Sequence, residues 1–157
     1  MTAQAEAEQI SEVAQNCKKL GLKHFWIDLR GANQSILGDK KVQAYLGSRI
    51  KELLTLLEGN EKAMLHCAAG IHRTGTIGYT LLRCSGYEPA QAFDMLKVMR
   101  VDTHKGVGDW RIELAEKYLW PGVMKMRVES LEVEAIPEEK EVAAEDCTEY
   151  GEEESKE

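Results

Sequence analysis

The run His66-Cys67-Ala68-Ala69-Gly70-Ile71-His72-Arg73-Thr74-Gly75 leaves this chain few options. A short apolar stretch, Ala63-Met64-Leu65, precedes it and reads as a strand. The residues after it, Ile77, Leu81, Leu82 and Cys84, recur at helical spacing. A cysteine followed six residues later by an arginine, with glycine between and Thr-Gly after, suits a loop that wraps an oxyanion. Successive backbone N–H groups and the N-terminus of the following helix supply the donors, and Cys67 would sit at the centre of that positive field.

The flanking pattern predicts an α/β fold. Residues 3–19 are good helix formers with Ile10, Val13, Ala14 and Cys17 on one face, and Leu20-Gly21 ends that helix. Leu22 to Leu29 is rich in β-formers and reads as a buried strand. A loop with Gly31, Asn33 and Gly38 follows. From Asp39 to Leu57 the positions Val42, Tyr45, Leu46, Ile50, Leu53, Leu54 and Leu57 keep helical spacing. Residues 62–66 then form a second strand, parallel to the first because a helical crossover joins them. The expected architecture is a central, mostly parallel sheet flanked by helices, with the reactive loop at the carboxyl end of a strand. Further on, a helix stops near Ser85-Gly86, Glu88-Pro89-Ala90 starts another, 101–108 reads as a connection, and a last helix over 109–119 ends at Pro121.

Charge divides the chain in two. The net charge of −7 conceals a segment, 129–157, with 13 acidic and 2 basic residues, against 14 acidic and 18 basic in the rest. One domain over 1–128 and an acidic, disordered tail over 129–157 are expected, the mildly basic body being suited to an anionic substrate. No apolar run approaches the length of a membrane span, and the polar, acidic start lacks the pattern of a signal peptide. Four scattered cysteines without zinc-like pairing fit a reducing compartment, cytoplasm or nucleus. No nucleic-acid or membrane partner is expected. Cys17, Cys84 and Cys147 read as inert, although Cys17 could form a protective disulfide with Cys67 under oxidation.

The loop itself carries the chemistry. A thiol is a nucleophile only as its thiolate, and inward N–H dipoles, a helix start and Arg73 all favour that form of Cys67. The same donors, the amides of Ala68, Ala69, Gly70, Ile71 and His72, would hold three phosphoryl oxygens, with phosphorus above the sulfur for in-line attack. Arg73 would grip two of those oxygens in a bidentate fork. Thr74 would donate its hydroxyl to the thiolate, His66 would orient the loop, Gly70 would permit its backbone turn, and Gly75 would let the helix approach the strand closely. His72 is equally readable as loop filler or as a substrate contact. Sulfur transfer by a rhodanese-like loop would give no reason for Arg73-Thr74-Gly75.

His66-Cys67-x-x-Gly70-x-x-Arg73-Thr74-Gly75 resembles the signature loop of the cysteine-dependent protein tyrosine phosphatases, in particular the small dual-specificity branch. The resemblance covers roughly residues 8–120, and Gly86-Tyr87-Glu88-Pro89-Ala90-Gln91-Ala92 looks like that family's turn into its next helix. It implies a cysteinyl-phosphate intermediate at Cys67, roles for Arg73 and Thr74, no metal and no cofactor. It also implies more chain before the signature than the 66 residues present, so the N-terminal part reads as short or missing.

The family's general acid, an aspartate, would fall within Leu29-Arg30-Gly31-Ala32-Asn33-Gln34-Ser35, which holds no carboxylate. Asp28 and Asp39 are the leading candidates and Asp109 a weaker one, with helix capping as the alternative role of Asp39 and Asp109. The expected substrate is a phosphorylated protein, phosphotyrosine before phosphoserine or phosphothreonine, or a small phosphate ester. A phosphate-binding pseudophosphatase and an inositol phosphate phosphatase are the alternatives, the latter because Arg30, Arg100 and Lys105 could line the mouth.

Overall fold

The computed structural model describes residues 3–59 and 61–134. Among them the regular structure is entirely helical, and the expected α/β sheet is not formed. The helices are α1 (Ala3–Lys19), α2 (Gln34–Leu37), α3 (Lys40–Glu58), α4 (His72–Cys84), α5 (Pro89–Met99), α6 (Val101–Gly106) and α7 (Asp109–Leu114). A π-helical turn, Ala115–Leu119, joins α7 to α8 (Trp120–Glu134).

The two stretches expected to pair as strands carry no regular structure and no ladder. Lys23 Nζ meets Glu61 Oε1 at 2.9 Å, tying their beginnings together. The donors at the end of the first stretch are then consumed locally. Asp28 N–H donates to the Tyr45 hydroxyl at 2.9 Å, and Leu29 N–H turns back to the Ile27 carbonyl at 2.9 Å. The second stretch lies at the surface, with Met64 87% exposed. Parallel pairing is the weaker kind, and two strands alone are marginal, so loss of these donors is enough to leave both segments unpaired.

Helix α4 is the hub. Residues Thr74 to Thr80 are all buried, and α3, α5, α6, α7, α8 and the π turn pack around it. One side joins a core of Leu37, Leu46, Ile50, Leu54, Leu119 and Val123 through Ile77 and Cys84. The other side sets Tyr79 against Ala92, Leu96, Val107 and Ala115. Two of its buried threonines are satisfied within the helix, Thr76 Oγ1 donating to the His72 carbonyl and Thr80 Oγ1 to the Thr76 carbonyl, both at 2.9 Å. Arg83, also buried, bonds Glu116 Oε1 through Nε at 2.6 Å and lies over the Trp120 ring.

Pro121 does not end the last helix as expected. The π turn just before it widens the backbone where a proline ring would otherwise strike the carbonyl four residues back, and helix continues to Glu134. Helix thus enters the segment expected to be tail, whose remainder lies outside the described residues. Likewise 101–108 is not a bare connection but contains α6. No helix among the described residues is long and apolar enough to cross a membrane.

Candidate active site

The loop from Cys67 to Ile71 leads straight into α4, whose first turn has no capping side chain. Gly70 adopts φ +67, the left-handed region that a side chain disfavours, and a Cβ there would meet Arg100 Nη1 at 2.1 Å. Arg100 Nη1 donates to the carbonyls of Ala69 and Gly70 at 3.0 and 3.3 Å, and the Thr103 hydroxyl donates to the Gly70 carbonyl at 2.6 Å. In a planar trans peptide the C=O and N–H point opposite ways. Holding these two carbonyls on the outer side therefore turns the N–H groups of Gly70 and Ile71 inward, toward the Cys67 sulfur. The Gly70 N–H also reaches the Cys67 carbonyl at 3.2 Å.

The thiol of Cys67 is half-buried, which by itself raises its pKa. Against that, the Thr74 hydroxyl and the N–H groups of Thr74, Ile71 and Gly70 favour the charged form, and the net value falls from the usual 9.0 to about 7. Thr74 is 8% exposed, and its hydroxyl oxygen makes no hydrogen bond of standard geometry. Facing a protonated thiol it lacks a good acceptor; the ionised sulfur supplies one.

Arg73 Nη1 donates to the Leu29 carbonyl at 3.3 Å, clamping the loop to the end of the 22–29 stretch. Asp28 and Arg30 flank that carbonyl in sequence, so the backbone of Asp28 adjoins a residue that contacts the loop. The Asp28 carboxylate is exposed and lies 3.7 Å from Arg30 Nε. Asp39 takes the capping role instead: its Oδ1 accepts from the backbone N–H groups of Lys41 and Val42 at 2.8 and 3.1 Å, at the start of α3. Asp109 opens α7 and is exposed. His66, Ala68, Ala69 and His72 are exposed, so their side chains border solvent. Gly75 allows a close approach, but to α6 and not to a strand: a Cβ would lie 2.5 Å from Val107 Cγ2. Cys17 and Cys67 are both free thiols.

The residues that sequence reasoning missed are those behind the loop. Thr103, Gly106 and Val107 lie at one-face helical spacing. They meet the Gly70 carbonyl, the Ile71 side chain (2.6 Å from a Cβ at Gly106) and Gly75 respectively. That i, i+3, i+4 spacing in 101–108 was the available signal. Arg100, expected at the mouth, backs the loop. Among the described residues no group of three or more His, Cys, Asp or Glu side chains is arranged to hold a metal ion. Comparison with family models, with curated proteins and with solved structures finds no match to this chain.

Proposed function

We propose that this chain is a phosphatase that hydrolyses phosphate monoesters through a cysteinyl-phosphate intermediate. The observation that carries the reading is the convergence of three backbone N–H groups and the buried Thr74 hydroxyl on the Cys67 sulfur, with the thiol pKa drawn down to about 7. A thiolate in such a cradle attacks phosphorus, the S–P bond forms and the bond to the leaving oxygen breaks. Water then attacks the same phosphorus, releasing inorganic phosphate and regenerating the thiolate. Amides of residues 68–72 and the Arg73 guanidinium balance the charge on the three equatorial oxygens, and Thr74 steadies the sulfur each time it departs.

The departing oxygen requires a proton unless it belongs to a good leaving group. Asp28 is the candidate donor, since Asp39 is engaged by the amides of α3. General-acid help is worth on the order of 100- to 10,000-fold. Asp28→Asn is therefore expected to lower turnover of a phosphotyrosine peptide far more than that of an activated aryl phosphate. The exposure of Asp28 and its proximity to Arg30 favour a second reading, a phosphate-binding pseudophosphatase with weak turnover, in which Asp28→Asn changes neither rate.

The first test is hydrolysis of an aryl phosphate by the full chain. Cys67→Ser is expected to abolish it and Arg73→Ala to lower it by on the order of 100-fold or more. Equal rates for wild type and Cys67→Ser would end the enzymatic reading.

A further inference from the structure

On either side of Leu29, whose carbonyl Arg73 holds, the chain enters a cleft of about 400 Å³ lined by Asp28, Arg30, Ile36, Lys41, Val42 and Tyr45. We infer that it is a specificity subsite for a phosphoprotein substrate, taking a glutamate side chain next to the phosphorylated residue. The inference rests on the phosphatase reading for the position of the phosphate.

Its location follows from Arg73. The guanidinium that would hold the phosphoryl group bonds the Leu29 carbonyl at 3.3 Å, and the cleft residues Asp28 and Arg30 are the immediate neighbours of Leu29. Residues adjoining the phosphorylated one lie one chain step, about 3.3–3.6 Å, to either side of it, which makes their side chains the candidates for a cleft that flanks Leu29. The walls are held on both sides. Tyr45 accepts the Asp28 N–H, Leu29 is anchored in the core, and Asp39 fixes the backbone of Lys41 and Val42.

Its chemistry selects the occupant. Ile36, Val42 and the Tyr45 ring suit an aliphatic stem. Asp28 offsets Arg30 at 3.7 Å, whereas the Lys41 ammonium has no ion-pair partner among the described residues. The first turn of α3 contains Lys40 and Lys41 and no acidic residue. The Asp39 carboxylate at that end is taken up by the backbone N–H groups of Lys41 and Val42, and the helix dipole gives the Lys41 ammonium nothing, which leaves that cation for an anionic guest. A carboxylate at the end of an aliphatic stem satisfies both parts of the cleft. An inositol polyphosphate would press its phosphates against the apolar wall, where no donor meets them.

The test uses the full chain carrying Cys67→Ser, which binds without turning over. Fluorescent phosphotyrosyl peptides that differ only in a flanking Glu, Ala or Lys are titrated and read by anisotropy. The Glu peptide is expected to bind about tenfold more tightly than the Lys peptide, and adding Lys41→Glu is expected to reverse that order. Glutamate in the first turn of a helix favours its dipole, so this variant retains α3. Equal affinities for the three peptides, an order unchanged by Lys41→Glu, or tighter binding of an inositol polyphosphate than of the Glu peptide would overturn the subsite. Because binding is read on an inert variant, a wild-type chain without turnover would end the enzymatic reading and leave the subsite standing.

Discussion

Two cysteines of this chain sit in opposite electrostatic surroundings. Burial pushes the Cys84 thiol up to about 11, while at Cys67 hydrogen-bond donors outweigh partial burial and bring the thiol to about 7. Alkylation by iodoacetamide, followed by mass spectrometry across a pH series, is expected to label Cys67 with a midpoint near pH 7 and to leave Cys84 untouched while the chain is folded. A Cys67 midpoint near 9.0 would contradict the cradle. The linkage has a definite sign: a thiol with a lowered folded pKa favours the folded state fully above its unfolded value and loses that contribution as pH falls through about 7. Thr74→Val removes a donor and should move the midpoint upward. The donors that surround Cys67 were legible in the sequence because those of Gly70, Ile71 and Thr74 lie within one loop. The fate of Asp39 was not, because N-capping and proton donation demand the same residue type.

At the scale of elements, the site depends on how closely α4 meets α6. A Cβ at Gly75 would stand 2.5 and 2.7 Å from Val107 Cγ2 and Cβ, a branched side chain buried in the core. Gly75→Ala is expected to destabilise the fold by about 1–3 kcal/mol, and Val107→Ala on that background to recover part of the loss. Urea denaturation of the single and double variants measures both; strictly additive effects would show that the two side chains do not compete for one space. Helices α1, α3, α4 and α5 were readable because each is long enough for its apolar period to register. Short α2 has no period to read, and α6 shows only the single i, i+3, i+4 set of Thr103, Gly106 and Val107, which a polar, glycine-containing stretch hides. The sheet failed for a different reason. Residues 22–29 have the composition of a strand, but Tyr45 and the Ile27 carbonyl claim the donors that pairing requires, and no local pattern announces that competition.

For the molecule as a whole, the consequence lies in where the reactive loop is rooted. Active sites are often borne on the least stable parts of a fold, where loops open without disturbing the core. Here the loop continues into the most enclosed helix, α4, whose residues from Thr74 to Thr80 are buried among elements drawn from both sides of it in sequence. Local opening of that helix would separate both cores at once. The amide protons of Thr76 to Thr80 are therefore expected to be among the last to exchange in deuterated solvent, at the free energy of global unfolding, while those of the unladdered 61–66 stretch exchange early. Early exchange within α4 would refute this. The donors that face Cys67 are in this sense not a movable accessory but one end of the last structure to melt, so heat or denaturant should dismantle that cradle and the fold in a single step.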